Sequence, residues 1–385
     1  MKKVLMLILL LLLSVLIGMY FLNNPQKEKK KESKKEQIIE NKEIKNSLFK
    51  FYSKEASKKV NDMSTEEKVG QLFLVRYDKS QTNKYKDYYP GGYILFARDF
   101  ENHTKESIKE ELTNLQNNNK YPLILGVDEE GGYVTRVSRF KAFREEKFKS
   151  PRAYYDEGGY ELLEQTENEK LSLLKELGLN LNLAPVADIS TDENDFIYSR
   201  SFGKGANETS EFIKNMVSFA NNNEINSCLK HFPGYGNNKD THTGIAVDER
   251  SYDNFLENDF KPFQAGIDAN VPAILVSHNI INCMDPNKPA SLSESVIKEL
   301  RETLKFTGII MTDDLAMDAV SSYVNENVAS TLAINAGNDM IITSDFENMY
   351  QEVLNAVNTN EITKETLDTA VTRIIAWKYY SKLFN

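Results

Sequence analysis

The sequence predicts an α/β chain folded as one (β/α)8 TIM-like barrel, preceded by an apolar N-terminal segment and a charged linker. Three observations carry that expectation. Short runs rich in Val, Ile and Leu alternate with longer amphipathic stretches from about residue 49 onward. About eight such units occupy roughly 330 residues, which suits a closed barrel better than an open doubly wound sheet. The apolar runs also end repeatedly in charged or histidine side chains, and a parallel barrel gathers such strand ends on one face.

Taken in order, "MKK" precedes an uncharged apolar run from Val4 to Leu22, close to the ~20 residues that span a bilayer. No small-x-small cleavage site and no cysteine follows it, so residues 1–23 read as a signal anchor in preference to a cleaved signal peptide. Residues 24–48 are polar and lysine-rich and read as a flexible tether. The lysines after the run outnumber Lys2 and Lys3 before it, which by the positive-inside rule would keep the body cytoplasmic. A short lysine pair ahead of an apolar run is nevertheless the ordinary export layout, and the expectation is an extracellular body or a secreted one. Residues 49–385 form the barrel in this reading, with no second domain.

Within the body, "STEEKVGQLF" opens a helix with Ser64 or Thr65 as N-cap and glutamates in the first turn. Strands are expected at 71–77, 92–96, 123–130, 181–189, 226–232, 273–278, 308–314 and 339–343. Helices are expected at "ESIKEELTNLQNN", "EFIKNMVSFANNN", "ESVIKELRETL" and the final "ETLDTAVTRIIAWKYYSKLF", whose Trp377 is assigned to the core. The net charge of -10 argues against nucleic acid, because phosphate binding needs a basic face. The two cysteines, Cys228 and Cys283, are too few for a disulfide framework and read as buried free thiols. The chain is expected to be a monomer.

The strand ends hold the chemistry. "LILGV" ends in Asp128, Glu129 and Glu130, "NLAPVA" in Asp188, "SCL" in Lys230 and His231, "AILVS" in His278, and "GIIMT" in Asp313 and Asp314. One such residue could simply cap a helix or pair with an arginine, whereas five such ends on one face make a constellation. The "GYG" and "DEEGG" loops lack a Walker spacing and have acidic neighbours, so nucleotide binding is set aside. "DTH" with His231 offers three metal ligands, but no paired histidine spacing on a helix accompanies them, so neither metal nor cofactor is assigned. Acid–base chemistry remains. Asp240 and His242 stand two apart on one glycine-flanked loop, within reach of each other in any fold, and Asp313 on another strand could attack. That is the layout of a two-step covalent displacement.

At these residues a resemblance becomes visible. "KHFPGYGNNKDTHTG" resembles the K-H-F-P-G-H-G…D-S-H signature of glycoside hydrolase family 3, in its β-N-acetylglucosaminidase branch. "MSTEEKVGQLF", "GGYILF", "GVDEEGGYVTRV", "RSFG", "GIIMTDDLAMDAV" and "NAGNDMI" match in the family's order, over roughly residues 60 to 345. The resemblance implies a (β/α)8-like barrel and a retaining exo-acting hydrolase of terminal N-acetylglucosamine in peptidoglycan fragments or related glycans. It implies Asp313 as nucleophile, His242 as acid/base, Asp240 as its orienting partner, and Asp128, Arg136, Arg200, Lys230 and His231 as sugar-binding side chains. Asp314 is read as structural and His278 as a core histidine. Four features depart from the pattern: Tyr235 replaces the family's histidine, Thr241 its serine, Tyr133 a frequent arginine, and the spacer before Asp240 is shorter. A β-glucosidase, a phosphorylase of the same family and a non-catalytic wall-tethered sugar-binding protein are the rival readings.

Overall fold

Ser64 caps the helix that leads into the barrel: its hydroxyl accepts from the Glu67 amide and the Glu67 carboxylate accepts from the Ser64 amide, the reciprocal pair expected of that sequence. The computed structural model describes residues 44, 47–236, 238, 246–317, 320, 323–324 and 328–384. The proposed anchor of residues 1–23 and nearly all of the tether lie outside the described residues. Among the described residues no helix is long and apolar enough to cross a membrane.

Eight strands follow: β1 (Phe73–Arg76), β2 (Gly92–Leu95), β3 (Ile124–Val127), β4 (Leu181–Asn182), β5 (Asn226–Phe232), β6 (Ala273–Val276), β7 (Ile309–Asp314) and β8 (Met340–Thr343). They pair in chain order, all parallel, and β8 closes on β1 through Phe73 opposite Ile341. The expected barrel is thus the observed one. Strand side chains such as Leu74, Tyr93, Leu125, Leu229, Ile274, Ile310 and Ile342 are buried, as they must be in a sheet covered on both faces.

Expected helices are present at Lys105–Asn117, Ala206–Asn222 and Lys364–Tyr380. The stretch at 294–304 differs, because its α-helix ends at Lys298 and continues as a π-helix from Glu299 to Thr303. The final helix seals the end of the barrel opposite the strand C-termini. Its Trp377 is fully buried and donates from Nε1 to Asn226 Oδ1 at 2.8 Å, and its Arg373 joins Arg301 on the buried Asp339 carboxylate.

Two expectations need correction. The predicted strand at 181–189 keeps ladder geometry only over Leu181–Asn182, because Pro185 has no amide to donate. The chain still follows the barrel wall, with Leu183 N donating to Val127 O at 2.9 Å and Ala187 N to Lys230 O at 2.7 Å, and so carries Asp188 to the strand-end face. Of the two thiols, Cys228 is buried as expected and Cys283 is exposed. Cys283 lies by an unforeseen three-stranded sheet of Val247–Asp248, Ile280–Ile281 and Asp285–Pro289, laid over the same barrel end.

Candidate active site

The end of β5 supplies the centre of the site. Lys230 is buried, and its Nζ lies 2.5 Å from Asp128 Oδ1 and 2.6 Å from Glu130 Oε1. Burial alone would drive the proton off Lys230, but the two carboxylates outweigh it and hold its pKa above the ordinary lysine value. Glu130 is the hub: Arg200 grips it with two nitrogens, Nε to Oε2 at 3.0 Å and Nη2 to Oε1 at 2.7 Å. Burial would raise the Glu130 pKa, yet Arg200 and Lys230 pull it far below the usual carboxylate range. Two cations and two carboxylates therefore pair with one another in a buried cluster at the strand ends.

His231 follows with a fixed tautomer. Its Nδ1 lies 2.7 Å from Asp188 Oδ2, and its Nε2 lies 3.2 Å from Arg200 Nη2. Arginine can only donate, so Nε2 accepts and the proton sits on Nδ1, facing Asp188. Asp188 is fully used: Oδ2 also accepts from the His231 amide at 3.1 Å and Oδ1 from the Tyr235 amide at 2.8 Å. Tyr235, at the position of the family's histidine, is buried and packs edge-on against His231 with ring centroids 5.1 Å apart.

Arg136 sits on the loop after β3. That loop is organised by Glu129, whose buried carboxylate accepts from the amides of Arg136 and Val137 at 2.7 Å each, and from Ser138 Oγ. The two glycines ahead of it are required by geometry: Gly131 has φ +97°, and a Cβ there would lie 2.3 Å from Lys149 O. The Arg136 guanidinium lies 5.3 Å from the centre of the Phe96 ring, whose neighbour is Arg76 at 4.0 Å. The Nε atoms of both arginines are buried without a hydrogen-bond partner. Arg136 is thus not a surface cation; it is a held donor with bonding capacity left over.

Asp313 stands half-buried at the end of β7 and accepts from the Asp314 amide at 2.9 Å. Asp314 ties the ends of β7 and β8 together, accepting from the amides of Ala316 at 3.0 Å and Ser344 at 3.1 Å, which supports its structural reading. His278 is fully buried between Ser291 Oγ at 2.8 Å and the Asp314 carbonyl at 3.1 Å, a core histidine that steadies the same strand end. Burial raises the Cys228 thiol pKa, and the charges acting on it besides are Lys230, Asp128 and Asp313. Lys230, Asp128 and Asp313 each stand at or just beyond the C-terminal end of a parallel barrel strand, and so on one end of the barrel.

Of the residues expected from the sequence, Asp128, Arg200, Lys230 and His231 form one bonded cluster, and Arg136 and Asp313 lie on the same face. Asp240 and His242 lie outside the described residues. Two members of the cluster, Glu130 and Asp188, were noted as strand-end carboxylates but given no role. The available signal was that Glu130 stands two residues after Asp128, and that Asp188 ends the run preceding β5.

Residues 64–377 match the glycosyl hydrolase family 3 N-terminal domain. The chain belongs to glycosyl hydrolase family 3. It is 30% identical over 276 residues to a beta-hexosaminidase of Methylobacillus flagellatus, covering 69% of this chain and 76% of that one. It is 32% identical over 262 residues to a beta-hexosaminidase of Haemophilus influenzae, covering 65% of this chain and 71% of that one. Among solved structures, a family 3 beta-N-acetylglucosaminidase from Paenibacillus sp. superposes with a TM-score of 0.77 at 26% identity, over 83% of this chain and 63% of that one. Family membership and these relatives make the chain a glycoside hydrolase of the beta-hexosaminidase kind.

Proposed function

We propose that this family 3 enzyme is a retaining exo-β-N-acetylglucosaminidase that removes terminal N-acetylglucosamine from peptidoglycan fragments or related glycans. The observation that carries the proposal is the preformed cluster of Asp128, Glu130, Arg200, Lys230 and His231 on the barrel face that also bears Asp313. Sugar hydroxyls are recognised by charged donors and acceptors in fixed directions, and those bonds strengthen as the ring approaches an oxocarbenium ion. Asp128, Arg136, Arg200, Lys230 and His231 hold the sugar in this reading.

Asp313 attacks the anomeric carbon and forms a glycosyl ester as the glycosidic bond breaks. His242, oriented by Asp240, gives its proton to the leaving oxygen. The imidazole then takes a proton from water, which hydrolyses the ester and frees Asp313 with net retention. The apolar run at Val4 to Leu22 supports an exported, membrane-anchored enzyme acting outside the cell.

The test uses the full chain in detergent or as a soluble fragment beginning near Asn46. Chromophore release is measured from aryl β-N-acetylglucosaminide and aryl β-glucoside, with and without phosphate, for wild type and Asp313→Asn. Fast release from the first substrate alone, independent of phosphate and at least ~10³-fold slower in the variant, is expected for loss of a nucleophile. Preference for the glucoside, or phosphate-dependent product, would transfer the assignment to the corresponding rival.

A further inference from the structure

The segment bearing Asp240 and His242 departs after β5 and returns at Ala246. Its described ends meet on one side chain, Arg250. The Arg250 guanidinium reaches Asp248 through Nε at 3.0 Å and Nη2 at 2.7 Å, donates from Nη1 to Asp259 Oδ2 at 2.8 Å, and donates from Nη2 to the Gly234 carbonyl at 3.0 Å. Asn238 extends the network, donating to Asp248 Oδ2 at 2.6 Å and to the Tyr235 carbonyl at 2.8 Å. One fork therefore joins the outgoing end at Gly234, the incoming strand at Asp248 and, through Asp259, the helix Phe260–Asp268.

The fit is close. A Cβ on Gly234, which has φ +124°, would lie 2.2 Å from Asp259 Oδ1. Asp248 and Asp259 are both buried, and Asp259 Oδ1 has no hydrogen-bond partner. Burial pushes Asp259 up to about 6 against the pull of Arg250, with Asp188 and Asp248 adding to the rise. Two buried carboxylates on one guanidinium are a costly way to hold a turn, and apolar packing would serve stability as well. What a planar five-donor fork adds is direction at several acceptors at once. None of its side-chain bonds goes to Asp128, Glu130, Arg200, Lys230 or His231; its link to that cluster is through the backbone, where Gly234 N donates to His231 O at 2.8 Å, so its direct hold is on the segment ends.

We propose that Arg250 is a positioning residue for proton transfer, fixing both ends of the segment that carries the acid/base pair by bridging Asp248, Asp259 and the Gly234 carbonyl. The proposal rests on the assignment of His242 as acid/base. Loss of the fork therefore slows the step that protonates the leaving oxygen and spares sugar binding.

The test compares kcat/KM for two aryl β-N-acetylglucosaminides. Dinitrophenolate departs without protonation, whereas 4-methylphenolate needs it. Arg250→Lys keeps the charge but cannot reach all three acceptors. It is expected to lower kcat/KM for the methylphenyl substrate at least ~10-fold and for the dinitrophenyl substrate less than ~2-fold, within the ~10² to 10⁴-fold that general acid catalysis supplies. Asn238→Ala is expected to show the same selectivity, smaller in size, and decides the matter if Arg250→Lys melts below the assay temperature. Equal slowing of both substrates, or no change in either, overturns the proposal. A wild type inactive on both substrates overturns the hydrolase reading itself, and Asp313→Asn, slow on both, is the control that separates the two failures.

Discussion

Replacing Glu130 with glutamine tests the logic of the buried cluster. Glu130 accepts two bonds from Arg200 and lies 2.6 Å from Lys230, while Lys230 also reaches Asp128. Lys230 and Arg200 both depend on Glu130 there, with Asp128 and Asp188 as the other carboxylates acting on them, and the substitution takes one charged partner from each cation. Removing one partner of a buried ion pair costs about 3–5 kcal/mol. The amide oxygen of glutamine still accepts one bond, so the lower end, about 3 kcal/mol, is the expectation. The same loss of orientation at Arg200 and Lys230, if expressed in the transition state, lowers kcat/KM by roughly 150-fold. Urea unfolding and steady-state kinetics read the two effects. The acid limb gives a further check. The folded pKa of Glu130 lies below its unfolded value near 4.5, so its contribution is complete above that value and fades as pH falls toward the folded one. Wild type is expected to lose stability below about pH 4.5 more steeply than the variant. A Glu130→Gln protein with wild-type stability and kcat/KM within about twofold of wild type would refute the argument that these charges hold one another in place.

Two other outcomes follow from the same structure. Asp188→Asn offers one acceptor where the carboxylate serves the His231 amide, His231 Nδ1 and the Tyr235 amide, and its amino end must face a donor; kcat/KM is expected to fall ~10- to 100-fold, from about 1.5–3 kcal/mol lost in bonds to a charged acceptor, and unchanged kinetics would count against His231 as a sugar contact. Lys378 is fully buried with Gln71 Oε1 as its partner at 2.6 Å, and burial lowers its pKa to about 7; the unfolded chain binds the extra proton between about pH 7 and 10.5, so stability rises with pH there by up to about 1.4 kcal/mol per unit, and Lys378→Met should melt higher at pH 7 without that slope, whereas a lower melting temperature would contradict it.

Much of the fold was legible in the chain because parallel strands buried on both faces write themselves as unbroken apolar runs. "NSCLKHF" became β5 with its predicted limits, and Ser64 capped its helix as its sequence required. The strand ends pointed to Asp128, Lys230, His231 and Asp313 before any pairing was known. The run ending in Asp188 was misread in length, since apolar composition registers burial and not the missing amide of Pro185. The π-helix at Glu299–Thr303 and the small sheet over the barrel mouth also left no periodic trace.

By itself, then, the sequence determined the strands, their common direction and the reactive groups at their ends, because those depend on local hydrophobic order and on residue type. Only the tertiary structure decided which carboxylate serves which cation. Arg200 meets Glu130 across 70 positions and His231 meets Asp188 across 43. Arg250 gathers three acceptors contributed by a loop, a strand and the start of a helix. Such partners are chosen by barrel closure and by exclusion of water, which make an unpaired buried charge too costly to leave alone, and neither is encoded within any single stretch of chain.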